Sequence, residues 1–134
     1  MFFKKDKNES NNLSKVAALL IHAAKIDENF SKGEETIIKQ ALLQIGADNE
    51  NLERIFLDGK KIEENSNQIL EFTKEVKNME ENDKIKIVET LWRIIYSNKE
   101  ADIYETNLMR RLGGLLYIDS KLMGDIKEKI KNKI

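Results

Sequence analysis

Cysteine and proline are both missing from this sequence, and each absence removes a class of explanation. Without cysteine there is no disulfide, no zinc–thiolate site and no thiol nucleophile, and nothing from which a redox compartment can be read. Without proline, and with six glycines in 134 residues, little interrupts helix formation. A single histidine, His22, leaves Ser97 and Tyr104 without a second imidazole to activate them, which argues against a hydrolase triad. Charge of one sign is also scarce: 23 basic against 24 acidic residues give a net −1. Such a balance supplies no broad positive field for a phosphate backbone, so nucleic acid is not expected as a partner. No apolar run approaches the roughly 18 residues that span a bilayer. Met1 to Asn12 is mostly charged and polar, without the apolar stretch of a secretory signal, so a cytoplasmic address is expected. What remains, 40% hydrophobic and 35% charged, is enough apolar material for one folded domain of ordinary size. Residues 1–11 are expected to be a flexible lead-in and 12–134 the folded domain.

The apolar residues recur at helical spacing. Val16, Leu19, Leu20 and Ala23 form one stripe, and Ile37, Ile38, Ala41, Leu42 and Ile45 a second. Gly46 is placed to close that second helix in a left-handed conformation, and Asn49 to cap a short third helix ending at Phe56. Asp58-Gly59 reads as a turn. Ile69, Phe72 and Val76 predict a fourth helix over 66–77. Ile85, Val88, Leu91, Trp92 and Ile95 share the face of a fifth. A sixth covers about 102–116, and a last one starts near Asp119 with Leu122, Met123, Ile126 and Ile130. The fold class is therefore all-α, a bundle of about seven helices.

Residues 16–46 align without gaps on 87–117, at a constant offset of 71 (105 − 34). Val16 meets Ile87, Leu20 meets Leu91, Ile38 meets Met109 and Ala41 meets Leu112. Between the helices Asp27 falls on Asn98, Ser31 on Asp102 and Glu34 on Glu105. Two pseudo-symmetric helical hairpins are expected. Ser31 with Glu34, and Asp102 with Glu105, have the spacing of a capping box, in which the first side chain accepts from the first turn and the glutamate reaches back. That arrangement leaves Asp27 and Asn98 at the end of the preceding helix, where a negative charge meets the negative end of the dipole. A divalent cation held by Asp27, Glu34, Asn98, Asp102 and Glu105 accounts for them, because hard cations take several oxygen ligands. The first turn is not an EF-hand: its sixth position is Lys32 instead of glycine and its twelfth is Ile38 instead of glutamate.

The second turn carries a resemblance. Leu91, Trp92, Ile95 and Tyr96, then Asn98, Ala101, Asp102, Glu105, Leu108, Arg110 and Arg111, resemble the TerB family of tellurite-resistance-related proteins, in which a Leu-Trp helix runs into an Ala-Asp-Gly turn and an acidic helix start. The likeness spans about 13–116. It implies a compact bundle of about seven helices with internal two-fold pseudo-symmetry, and acidic turn residues that bind metal. Here the family's Asp-Gly pairs read Asp27-Glu28 and Asn98-Lys99.

Other residues admit two readings each. His22 belongs either to the structure of the first helix or to a cation site. Trp92 and Tyr96, four apart, either fill the core or line a ligand groove. Ile126, Ile130 and Ile134 with Lys127, Lys129, Lys131 and Lys133 form a basic amphipathic helix, suited to the dipole at its own end or to peripheral contact with a membrane or partner. The expected function is a non-catalytic TerB-like module that binds a protein partner and a divalent cation in a stress-response or envelope-linked setting. A small metal-dependent enzyme built on the acidic turns is the competing reading. No catalytic residue is assigned, and the oligomeric state is not legible.

Overall fold

A computed structural model describes the backbone over residues 2–25, 32–65, 70–96 and 103–133, with side chains from Leu13 onward in these ranges except at 32, 70, 71, 75 and 103–105. Seven helices and no strands make up the described residues: α1 (Phe2–Ala24), α2 (Lys32–Ile45), α3 (Leu52–Glu64), α4 (Leu70–Val76), α5 (Glu81–Tyr96), α6 (Ile103–Leu115) and α7 (Ser120–Lys133).

The first helix is the axis of the bundle. From Leu13 to Ala24 its small and aliphatic side chains are buried on nearly every side, with Val16, Ala17, Leu19 and Leu20 wholly out of water. A helix apolar around its circumference must be surrounded, and α1 packs against α2, α3, α4 and α5. The fifth helix is similar: Ile87, Val88, Leu91, Ile94 and Ile95 are buried, and α2 and α7 flank it together with α1. The stripes seen in the sequence are thus parts of wider buried surfaces.

Asp58-Gly59 is not a turn but lies inside α3. Its glycine serves packing, since a Cβ at Gly59 would stand 2.6 Å from the Ala17 Cβ and 3.0 Å from the Ser14 carbonyl oxygen. The cap of α3 also differs from expectation. Asp48 rather than Asn49 organises the start: its Oδ1 accepts from the amides of Glu50 and Asn51, each at 2.9 Å, while Asn51 Oδ1 accepts from the Asp48 amide at 2.8 Å. This reciprocal pair uses two short polar side chains to satisfy amides that no helical carbonyl reaches.

Gly46 does close α2. Its φ is +143°, and the amide of Ala47 donates back to Leu42 O at 2.9 Å. The same six-residue closure ends α6, where Ile118 N donates to Gly113 O at 2.9 Å and Tyr117 takes φ +58°. Asp119 then caps α7, with Oδ2 accepting from the amides of Lys121 and Leu122. Two lysines of α5 reach the C-terminal carbonyls of these same two helices: Lys84 Nζ donates to Leu116 O at 3.1 Å in the interior, and Lys86 Nζ to Gln44 O at 3.5 Å on the surface.

The apolar face of α7 is turned inward. Met123, Ile126 and Ile130 are buried against the core, and Lys129 pairs with Glu89 of α5 at 2.7 Å. Ile134 lies outside the described residues. Ile126 and Ile130 of the stripe that suggested a membrane or partner contact are therefore spent on packing. No helix among the described residues is long and apolar enough to cross a membrane.

Candidate functional site

Of the five residues expected to hold a cation, Glu34 is the one whose side chain is described. It stands in the first turn of α2, only 2% exposed, and it has an interaction partner. A carboxylate there meets the positive end of the helix dipole, which offsets part of the cost of burial. Asp27, Asn98 and Asp102 lie outside the described residues, as do the side chain of Glu105 and the Ser31 end of the expected cap. Among the described residues no group of three or more histidine, cysteine or acidic side chains is placed to hold a metal ion.

His22 faces a carboxylate. Its Nδ1 lies 3.4 Å from Glu63 Oε2, and Lys25 Nζ donates to the other Glu63 oxygen at 2.7 Å. Glu63 thus ties the end of α1 to the end of α3, and the imidazole also packs against Phe72 of α4, ring centroids 6.0 Å apart. These contacts assign His22 to the junction of three helices.

Trp92 combines both roles the sequence allowed it. The residue is 4% exposed and stacks on Tyr96, centroids 5.8 Å apart, yet its side chain also lines a cavity of about 410 Å³ between α5, α6 and α7. Met109, Ile118 and Met123 supply apolar walls, and Arg110 and Lys127 supply charge. The Lys127 ammonium stands 5.5 Å from the indole centroid, over the ring, a cation–π contact. Gly113, Gly114 and Gly124 also border this space, and at Gly113 the room is taken by Met123, whose Cγ a Cβ there would meet at 3.3 Å. Beside Gly114 and Gly124 a Cβ would meet nothing within 4 Å. The indole Nε1, a donor out of contact with water, has no hydrogen-bond partner. Periodicity marks Trp92, Met109 and Met123 as apolar-face residues but does not mark Arg110 or the glycines. The available signal was the run of glycines in α6 and α7, where helix propensity argues against them.

Burial pushes the Tyr96 phenol up, and the charge of Glu128 adds to the shift. Because the folded value is raised above the unfolded one, the associated stability is complete below the ordinary tyrosine range and is lost as pH rises through the folded value. Lys39 behaves alike, held protonated chiefly by its bond to Glu53, with Glu35 contributing. Melting midpoints should consequently fall above about pH 10, and Tyr96→Phe should remove part of that fall while leaving Lys39's share. An unchanged alkaline limb in the variant's pH profile would contradict the assignment.

A model of the family described as tellurite resistance protein TerB matches residues 13–128. This covers all seven helices in whole or in part, including the two acidic turns and the cavity. No curated protein and no solved structure matches the chain.

Proposed function

The chain belongs to the TerB family, and on that premise we propose that it is a non-catalytic cytoplasmic module that binds a protein partner in a stress-response or envelope-linked setting and holds a divalent cation at its acidic turns. The observation that carries the cation is the burial of Glu34 at a helix start. Beside its partner and the helix dipole, a carboxylate so completely out of water is placed to join a hard cation shared with Asp27 and the second turn. Asn98, Asp102 and Glu105 would complete the oxygen donors from the second hairpin. That the two hairpins, 16–46 and 87–117, are copies of one unit is part of the same reading. It is supported by equivalent closures at Gly46 and Tyr117, which lie at the offset found in the sequence.

Cap and cation demand different responses from Asp27. A ligand at about a hundred times its Kd adds about 2.7 kcal/mol of stability, enough to move the midpoint of a domain of this size by several degrees. Calcium, magnesium, manganese or zinc should therefore raise the Tm of the metal-stripped protein. Asp27→Asn should abolish the increment while leaving the stripped protein nearly unchanged. If no metal gives a shift that depends on Asp27, the cation fails and capping suffices to explain the turn.

A further inference from the structure

We propose that the cavity between α5, α6 and α7 is a binding site for a small apolar anion, an aliphatic chain ending in an anionic oxygen head group, with the chain against Met109, Met123 and Trp92 and the head group between Arg110 and Lys127. This inference does not rest on the cation reading of the acidic turns. At about 410 Å³ the cavity is in the range of small-molecule pockets, toward the lower end, and its lining is mainly apolar with a few polar groups, the usual composition of such sites.

Three observations select the ligand class. The first is charge: Arg110 and Lys127 both line the space, and neither forms an ion pair with a carboxylate among the described residues. The second is the Trp92 Nε1–H, buried without an acceptor in a residue that lines the cavity. Buried donors are nearly always satisfied, and because water does not reach this one, a ligand oxygen would meet it only with a shift of the indole that Trp92 emission would report. The third is the wall. Unbranched methionines on two sides adapt to an aliphatic chain, and Gly114 of α6 and Gly124 of α7 leave room beside them.

Trp92 is the only tryptophan in the chain, so the site carries its own reporter. Decanoate, decyl phosphate and decanol would each be titrated into the full-length protein below their aggregation limits while Trp92 emission is followed. Saturable change with decanoate or decyl phosphate is expected, and the tighter of the two identifies the head group. Decanol should bind about tenfold more weakly or worse, for want of charge-assisted hydrogen bonds. The Arg110→Gln/Lys127→Gln double variant should weaken anion binding by a similar factor and leave decanol unaffected. Gly124→Leu, which places a side chain in the open space, should abolish the response to all three while far-ultraviolet circular dichroism stays helical. No saturable response to either anion, decanol binding as tightly as the anions, or anion affinity unchanged in the double variant would each overturn the proposal. Should Gly124→Leu not fold, the charge variant decides, since Arg110 is exposed and Lys127 only partly buried.

Discussion

Gly59→Ala should destabilise this protein by about 2 kcal/mol or more, although alanine is the better helix former by about 1 kcal/mol. The added methyl would lie 2.6 Å from the Ala17 Cβ, and it would also crowd the Ser14 carbonyl oxygen and the Ala18 amide nitrogen at 3.0 and 3.1 Å. Two of these neighbours are backbone and the third is a methyl on backbone, so none can swing aside. The helices α1 and α3 would have to separate, and α1 is the element against which four others pack. Overpacking of this kind costs about 1–3 kcal/mol and sometimes more, a larger effect than the propensity gain it opposes. At roughly 3–5 °C per kcal/mol for a domain of this length, the midpoint should fall by about 5–10 °C or more. Gly124→Ala is the control. It is the same change in a helix interior, but its Cβ has nothing within 4 Å, so propensity alone operates and the midpoint should rise by a few degrees. Measured against Ala17→Gly alone, Gly59→Ala should cost less than it does in the wild-type protein, because the nearest of the three contacts is gone and the two to backbone remain. Equal effects at Gly59 and Gly124 would mean that the close approach of α1 and α3 does not determine the choice of glycine.

The same two glycines show where sequence reasoning succeeds and where it stops. Local rules work when the cause is local. Gly46 is recognisable because a positive φ at the end of a helix is a property of that residue, and the helices follow from periodicity because each carries an apolar stripe, even where, as in α1, the buried surface is wider than the stripe. Gly59 carries an identical letter, but the reason for it is another helix, some forty positions away in sequence. Following Asp58, it presents the signature of a turn and none of the contact. The misplaced cap has a related origin: Asp48, Asn49 and Asn51 are all competent caps, and only the path of the chain after Gly46 decides that Asp48 and Asn51 pair reciprocally. For the candidate site the limit is stricter. Trp92 could be marked as either core or groove because its face of α5 is fixed by period, whereas the cavity exists only when α7 is laid across α5 and beside α6. Arg110, Met123 and Lys127 belong to three-dimensional neighbourhoods that no spacing encodes. The acidic turns are the reverse case, with residues legible in sequence and arrangement still to be tested by metal.

Lys84→Met should cost about 1.5–3 kcal/mol, the usual value of a hydrogen bond with a charged partner whose loss strands a buried group. Lys84 is 7% exposed, and its Nζ donates at 3.1 Å to the carbonyl of Leu116, a residue with no exposure at all. That carbonyl lies just beyond the last turn of α6, where helical amides no longer reach and the dipole is negative. A cation from α5 answers both needs and fixes the start of α5 to the end of α6, beside the left-handed Tyr117. Methionine keeps the length and apolar stem of lysine but supplies no donor, so the substitution isolates the bond from the packing. Lys86→Met is the matched comparison. Lys86 lies two residues on and reaches the α2 carbonyl of Gln44 at 3.5 Å in an exposed position, where water replaces it at little cost. Its loss should stay within about 0.5 kcal/mol. Chemical denaturation of both variants checks the contrast: the midpoint of Lys84→Met should fall clearly with an unchanged slope, and that of Lys86→Met should barely move. A Lys84→Met protein as stable as wild type would show that the Leu116 carbonyl finds another partner, and that α5 and α6 are joined by apolar packing alone.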